Sequence, residues 1–471
     1  MLRIILCLLL ATSTHAAIIG VPGEHSTIQA ALDVSASGDT VLVERGTYPE
    51  HLTTPEHGVT VMSRYMMTRD SADWLDTILD GTHSGTCVFL PTTHCEWTRF
   101  QGLVIANGRG EVMAGGIVSQ DSICLELRHI ILRDHQAIQA SPTLAAASAI
   151  RLRGGVHRLT ISNMSVSNAI GDNRENIFAG VNATILLDSL DFNGDGDSGC
   201  AGHFSSQDTL IASHIRFHDY EPSSRYSSLW GTNYTSIRDV EIADCRGNYG
   251  AMFIFGDGYS ILRNIHVHDC VHTGTGQDVN AAVLIISSDY VDLDSMIVEN
   301  TTMRESDAIE IERYPNGDPN QPVGEVNHLI VRNNFAGGID AYPHEYSGRI
   351  ASILHCSLRN SIFTGNTTDL PYAPDDSTGV SLRRGSTLFM KHNSLDSLII
   401  ENVEISHNVV IDHDDHWALI NTLGPEFVLG NLGRALYLSL NQTDVTVIRD
   451  CIFHDNRLNN FVPETDFYWS L

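Results

Sequence analysis

Tyr234-Thr-Ser-Ile-Arg-Asp-Val-Glu-Ile-Ala-Asp244-Cys245 and Tyr259-Ser-Ile-Leu-Arg-Asn-Ile-His-Val-His-Asp269-Cys270 are two copies of one pattern, 25 residues apart. Apolar and polar residues alternate on either side of a polar pair, Arg238-Asp239 or Arg263-Asn264, and each copy closes on Asp. Period-two alternation with Val, Ile and Leu on one face is the mark of a half-buried strand. Weaker copies end at Asn107, Asp134, Asn168, Asn193, Asp219, Asn300, Asn333, Asn366, Asn408 and Asp455, with longer intervals late in the chain.

A second short strand precedes each copy, as in Gly116-Ile-Val-Ser, Ala149-Ile-Arg-Leu, Ala251-Met-Phe-Ile-Phe, Ala282-Val-Leu-Ile-Ile, Ala308-Ile-Glu-Ile and Gly379-Val-Ser-Leu. Nothing between them has the length or period of the helix that a βαβ crossover needs. Parallel strands without helices leave a coil in which each strand stacks on its counterpart one turn later. The expectation is an all-β, right-handed parallel β-helix of roughly twelve rungs, about 25 residues each. The recurring Asn or Asp fits sharp bends, because these residues tolerate left-handed φ and hydrogen-bond locally. Stacked bends then make a polar ladder. A sandwich or propeller would show Asn-Gly hairpin turns, which are few here.

Single cores stop growing near about 300 residues, but a solenoid escapes that limit because each rung touches only its neighbours. The 471 residues are therefore read as residues 1–17, a signal peptide, followed by one β-helix domain over 18–471. Arg3, the apolar run from Ile4 to Leu10 and Thr14-His15-Ala16 have the order of an export signal, too short to span a bilayer. A secreted or cell-surface location follows. A formal charge of −29 argues against a nucleic-acid partner, and against polyanionic sugars without a bridging cation. Lys391 is the only lysine, a scarcity that argues against lysine-driven chemistry.

Eight cysteines follow the leader, too few for a disulfide scaffold in a chain this long. Cys245 and Cys270 hold equivalent places in adjacent copies, as stacked thiols or as a disulfide.

An open β-helix end is an exposed sheet edge and needs a cover. Ser26-Thr27-Ile28-Gln29 reads as a capping box with Ser26 as N-cap, opening a short helix through Ala30, Ala31 and Leu32 that plugs the first rung. This cap and first rung occupy residues 21–50. Val21-Pro22-Gly23 through Asp33, Gly38 to Val43 and Gly46 to Glu50 resemble the opening of secreted bacterial right-handed β-helix repeat proteins. Ser63-Arg64-Tyr65 and Thr77 to Gly81 continue the likeness. The resemblance implies a pectin-lyase-like architecture, a superfamily that mixes polysaccharide lyases, hydrolases and esterases with non-catalytic surface proteins.

Three short stretches are similar to pectin methylesterases: Gln207-Asp208-Thr209-Leu210, Phe253-Ile-Phe-Gly256 and Leu432-Gly433-Arg434. The likeness would make Asp208 a general acid and Arg434 a substrate-binding arginine. Met252, however, stands where that family has its nucleophilic Asp, and a thioether cannot replace a carboxylate.

Other polar constellations carry more specific chemistry. Asp191, Asn193, Asp195 and Asp197 present oxygens at alternate positions, as calcium loops do, though Gly202 stands where a bidentate Glu belongs. Structural Ca2+ is the only cofactor implied. Long insertions follow three late copies, from Phe335 to Arg349, Thr367 to Ser377 and Val409 to Asn431. They leave the same turn of stacked rungs, so they cluster in space. Tyr342, Tyr346, Tyr372 and Trp417 offer sugar-stacking faces. Asp412, Asp414, Asp415 and His416 are the candidate catalytic residues, the paired carboxylates serving as acid and base, and His413 with His416 could help hold a metal. The competing account is a solvated acidic loop. The function expected is binding or cleavage of an extracellular polysaccharide, by a lyase or glycoside hydrolase if catalytic, with a non-catalytic adhesion module as the alternative. His218-Asp219, His268-Asp269 and His454-Asp455 read as surface ladders, since rungs at about 4.8 Å each put the first two pairs beyond shared coordination.

Overall fold

A computed structural model describes residues 16–91, 96–110, 114–119, 124–137, 147–171, 177–194, 202–220, 227–247, 252–272, 284–304, 307–313, 324–337, 350–370, 387–392, 397–412, 436–440, 446–458 and 467–469. The alternating segments form strands, and the strands stack in parallel. Thr209–His218 pairs with Tyr234–Ala243, which pairs with the second half of Met252–His268, which pairs with Leu284–Glu299. The chain is a parallel β-helix.

From Trp97 onward the described rungs bend twice with left-handed backbone, save the one ending at Asn193, where Ser189 alone is left-handed and the bend expected at Asn193 is absent. The first bend falls on the second residue of the polar pair, as at His129, Asn163, His214, Asp239, Asn264 and Asn360. The second closes the copy, at Asn107, Asp134, Asn168, Asp219, Asp244 and Asp269. Side chains at the first bend hydrogen-bond along the stack: Asn264 Nδ2 donates to Asp239 at 2.9 Å, and Asn402 Nδ2 to Asn360 at 2.8 Å. This outer ladder is additional to the one expected at the closing residues, which is seen early in the chain, where Asn107 Nδ2 donates to Asp80 at 3.0 Å and Asn168 Nδ2 to Asp134.

Late in the chain the second bend moves one residue earlier than expected, to Gly365 (φ 66°) and His407 (φ 56°). Asn366 and Asn408 therefore turn inward, where both are buried with Asn334. They form an internal ladder. The Asn334 main-chain N–H and side-chain Nδ2 both donate to Asn366 Oδ1 at 3.0 Å. Asn366 repeats this toward Asn408 at 3.0 and 2.9 Å, and Asn408 toward Asn456 at 3.1 and 3.0 Å. Each Nδ2 also donates to a carbonyl: Val298, Val331 or Phe363. A buried amide is tolerated because its polar atoms are so fully engaged.

In earlier rungs the inward position holds Cys245 and Cys270, both buried and free. Each thiol faces a carbonyl of its own strand at 3.3 Å, so the pair is stacked thiols, not a disulfide. Earlier still it holds His135, fully buried. Gly108 N–H donates to its Nδ1 at 3.1 Å, which leaves Nε2–H to donate to the Ile105 carbonyl at 3.0 Å. Burial pushes its pKa down to about 4, so the ring is neutral. The apolar inward residues make one cluster running from Ile19 to Phe453, with Phe192 stacked on Phe217 at 5.0 Å.

The cap departs from expectation in detail. The helix is Ile28–Val34, and its N-cap is Thr27, whose hydroxyl accepts from Ala30 N at 3.1 Å, in place of Ser26. Gln29 is not a capping-box partner. Its amide bridges to the Thr53 backbone, while Glu50 from the next turn accepts from Ile28 N and Gln29 N at 2.9 Å each. A carboxylate at a helix N-terminus satisfies bare donors and opposes the dipole, so no local box is needed. Ile28, Ala31 and Leu32 are buried against the first rung. Two further single-turn helices, Tyr65–Thr68 and Ser71–Leu75, were not signalled by any periodicity. At the other end Phe467–Trp469 pairs antiparallel with Cys451–His454, laying a strand over the last edge.

Candidate functional site

The late insertions begin as strand, not loop. Phe335–Gly337, Thr367–Leu370 and Val409–Asp412 are parallel neighbours in a separate sheet, with Gly337 opposite Asp369 and Leu370 opposite Asp412. Strands of two to four residues are too short to show a period-two pattern. On the return side, Ala351, Leu388 and Leu436 pair in register. Three insertions thus leave and rejoin adjacent rungs at one corner. The rung strand there is Leu388–His392; Gly379-Val-Ser-Leu lies outside the described residues.

Of the residues assigned to this corner from sequence, Asp412 ends its strand. His413, Asp414, Asp415, His416, Trp417, Tyr342, Tyr346 and Tyr372 lie outside the described residues. For the calcium reading, Asp191 and Asn193 belong to the strand Ile177–Asn193, and Asp191 faces His218 Nε2 at 3.2 Å. Asp195 and Asp197 lie outside the described residues, as do Arg434 and residues 1–15, on which the expected signal peptide rests.

Met252 is 1 % exposed, an inward core side chain flanked in register by Ser227 and Leu284. Asp208 sits two rungs earlier and accepts from Asn233 Nδ2 at 3.1 Å. The position that would need a nucleophilic carboxylate is thus a buried thioether, two rungs along the stack from Asp208.

One outer face carries a group that sequence reading passed over. Tyr234 pairs with Tyr259, and Tyr259 with Tyr290, so three tyrosines follow each other up adjacent strands. The rings of Tyr259 and Tyr290 lie 4.9 Å apart at 44°. Tyr259 is 54 % exposed. Beside them run Leu186 and Ile211, each 40 % exposed, in register with Ser236 and Ile261. Arg263, bonded to the Asp292 carboxylate at 2.7 Å, edges the strip. Burial, reinforced by the charges of Asp292 and Glu325, holds the Tyr290 phenol above its ordinary pKa, so it stays a hydrogen-bond donor. The signal was present in the sequence, since Tyr234 and Tyr259 open the two clearest copies.

The next outer face is a ladder of opposite charges. Arg216 meets Glu241 at 2.9 Å, His268 Nε2 meets Glu241 at 3.1 Å, His266 meets Glu299 at 2.8 Å, and Arg332 meets Glu299 at 2.6 Å. The hydrogen bond from Arg332 holds Glu299 below the usual carboxylate range. At Glu241 burial opposes ionisation, but His268 and Arg216 outweigh it and its pKa is also low. Asp188 is lowered in the same way, burial being overcome by His214 and Ser213. These carboxylates are ionised and committed. A general acid needs the opposite shift.

No protein-family model matches the chain, and no curated protein is significantly similar to it. Among the described residues no helix is long and apolar enough to cross a membrane. What the arrangement offers chemically is a long regular face with aromatic, apolar and hydrogen-bonding side chains at strand spacing, and a corner from which three insertions emerge together.

Proposed function

We propose that this is an exported, pectin-lyase-like β-helix protein that binds an extracellular polysaccharide along its outer face. The observation that carries the reading is the column Tyr234, Tyr259 and Tyr290. An exposed ring at Tyr259 flanked by the half-buried rings of Tyr234 and Tyr290, spaced by one strand at about 4.8 Å, gives an extended chain of sugar rings apolar faces to stack on. Neighbouring hydroxyls and the Arg263–Asp292 pair supply polar partners. Tyr342, Tyr346, Tyr372 and Trp417 belong to the proposal by their residue type alone, since they lie outside the described residues. The net charge of −29 favours a neutral glycan.

Binding is favoured over cleavage on the described faces by the low pKa of Asp188, Glu241 and Glu299, which suits hydrogen-bond acceptance and not proton donation. Any turnover would fall to Asp412, Asp414, Asp415 and His416. The test is a panel of polysaccharides scored for retention, for new reducing ends and for unsaturated products. Retention of one glycan, weakened about tenfold, or ~1.4 kcal/mol, by Tyr259→Ala with melting unchanged, supports the proposal. Product formation abolished by Asp412→Asn, Asp414→Asn or Asp415→Asn would make it an enzyme. If no glycan is retained or cut, the proposal fails and a non-catalytic adhesion module takes its place.

A further inference from the structure

Three histidine–aspartate pairs occupy equivalent places at the second bend of their rungs. In each the histidine Nδ1 lies against the following Asp: His218 to Asp219 at 2.7 Å, His268 to Asp269 at 2.8 Å, His454 to Asp455 at 2.9 Å. In each, Nε2 faces a carboxylate of the preceding rung: Asp191 at 3.2 Å, Glu241 at 3.1 Å and Glu404 at 3.5 Å. The first two pairs are complete as hydrogen-bonded ladders.

The third has an added ligand. The bend residue one rung earlier is identified by its main-chain N–H, which donates to the histidine's own carbonyl. It is Gly194 below His218, Asp244 below His268 and His407 below His454. His407 Nε2 approaches Asp455 Oδ2 to 3.3 Å, and the two imidazoles stand edge-on with centroids 5.0 Å apart. Ligand atoms from His407, His454 and Asp455 all lie within 4.8 Å of one another. Around a tetrahedral ion with bonds of about 2.0–2.2 Å, neighbouring ligands sit roughly 3.4 Å apart. The observed 2.9 and 3.3 Å need only small movements to reach that spacing.

The backbone beneath is fixed. Ser406 and His454 are in register, and Asn408 is tied to Asn456 by two hydrogen bonds directly behind the cluster. Glu404 beside Nε2 is placed to orient the His454 ring, as outer carboxylates do in metal centres. The three side chains are 58 %, 26 % and 50 % exposed, which leaves a coordination position open to solvent.

We infer that His407, His454 and Asp455 form a binding site for a divalent first-row transition ion. Two imidazoles and one carboxylate suit Zn2+, Ni2+ or Cu2+ and are a poor match for Ca2+ or Mg2+, which take oxygen ligands. The ion takes the place of the proton that otherwise bridges His454 Nδ1 and Asp455 Oδ2.

The test is calorimetric titration of the full, tag-free chain with Zn2+, followed by Co2+ for the visible absorption of a tetrahedral site. His407→Asn removes the extra imidazole yet keeps a residue that the left-handed bend accepts, as Asn300 and Asn333 do. His268→Asn disrupts a ladder pair of the same design and serves as control. One equivalent of Zn2+ bound by the wild type and by His268→Asn, lost or weakened at least tenfold in His407→Asn with metal-free melting unchanged, is the expected result. Equal stoichiometry and affinity in wild type and His407→Asn would overturn the site, as would equal losses in both variants.

Discussion

Asn334 and Asn366 are 32 positions apart in the chain, yet two donors of the first converge on one side-chain oxygen of the second, each at 3.0 Å. The relationship then repeats over intervals of 42 and 48 residues, to Asn408 and Asn456. The rungs grow longer by insertion at one corner while the interior stays in register.

Asn366→Ala removes the acceptor for two buried donors of Asn334 and the donors to Val331 O and Asn408. Each buried group left without a partner costs roughly 1–3 kcal/mol, so the total should be about 3–5 kcal/mol. Urea unfolding measures it. A loss below about 1 kcal/mol would mean that the ladder is ornamental.

His135 links stability to pH. Its folded pKa of about 4 lies below the ordinary imidazole value, so the folded chain binds this proton more weakly than the unfolded chain does. The stabilisation is fully present above about pH 6.5 and drains away as pH falls toward 4, by up to about 3 kcal/mol. His135→Gln should therefore cost less at pH 4.5 than at pH 7.5, as read from melting curves. An equal cost at both pH values would place the ring in a wetter site.

Asn264 has a left-handed backbone, φ 54°, and an exposed side chain. A β-branched residue there is strained by roughly 1–2 kcal/mol, whereas Gly is at ease. Asn264→Val should melt well below Asn264→Gly. Equal melting temperatures would deny that the first bend selects its residue.

How much of this was legible depends on what each position does. Strands such as Tyr234–Ala243 announce themselves because period two and burial coincide. The bends at Asp239 and Asn264 were marked by the polar pair. Asn366 and Asn408 misled, because Asn suits both a left-handed bend and a buried ladder, and sequence does not say which neighbour turns. His407 stayed hidden for the same reason: it fills a bend usually held by Asn or Asp. The tyrosine column needed register to be seen, since Tyr290 opens a weak copy. The cap was half readable, because Glu50, which holds the helix N-terminus, comes from the next turn and not from a local box.

In-register stacking itself is tested most directly by a cross-rung disulfide. Leu186 and Ile211 are exposed register partners on adjacent strands, at a spacing within disulfide reach. Leu186→Cys with Ile211→Cys should oxidise rapidly and quantitatively. The slipped pair, Leu186→Cys with Ala212→Cys, should not, because Ala212 faces the core. Equal cross-linking of the two pairs, or of neither, would contradict the parallel register on which every site described here depends.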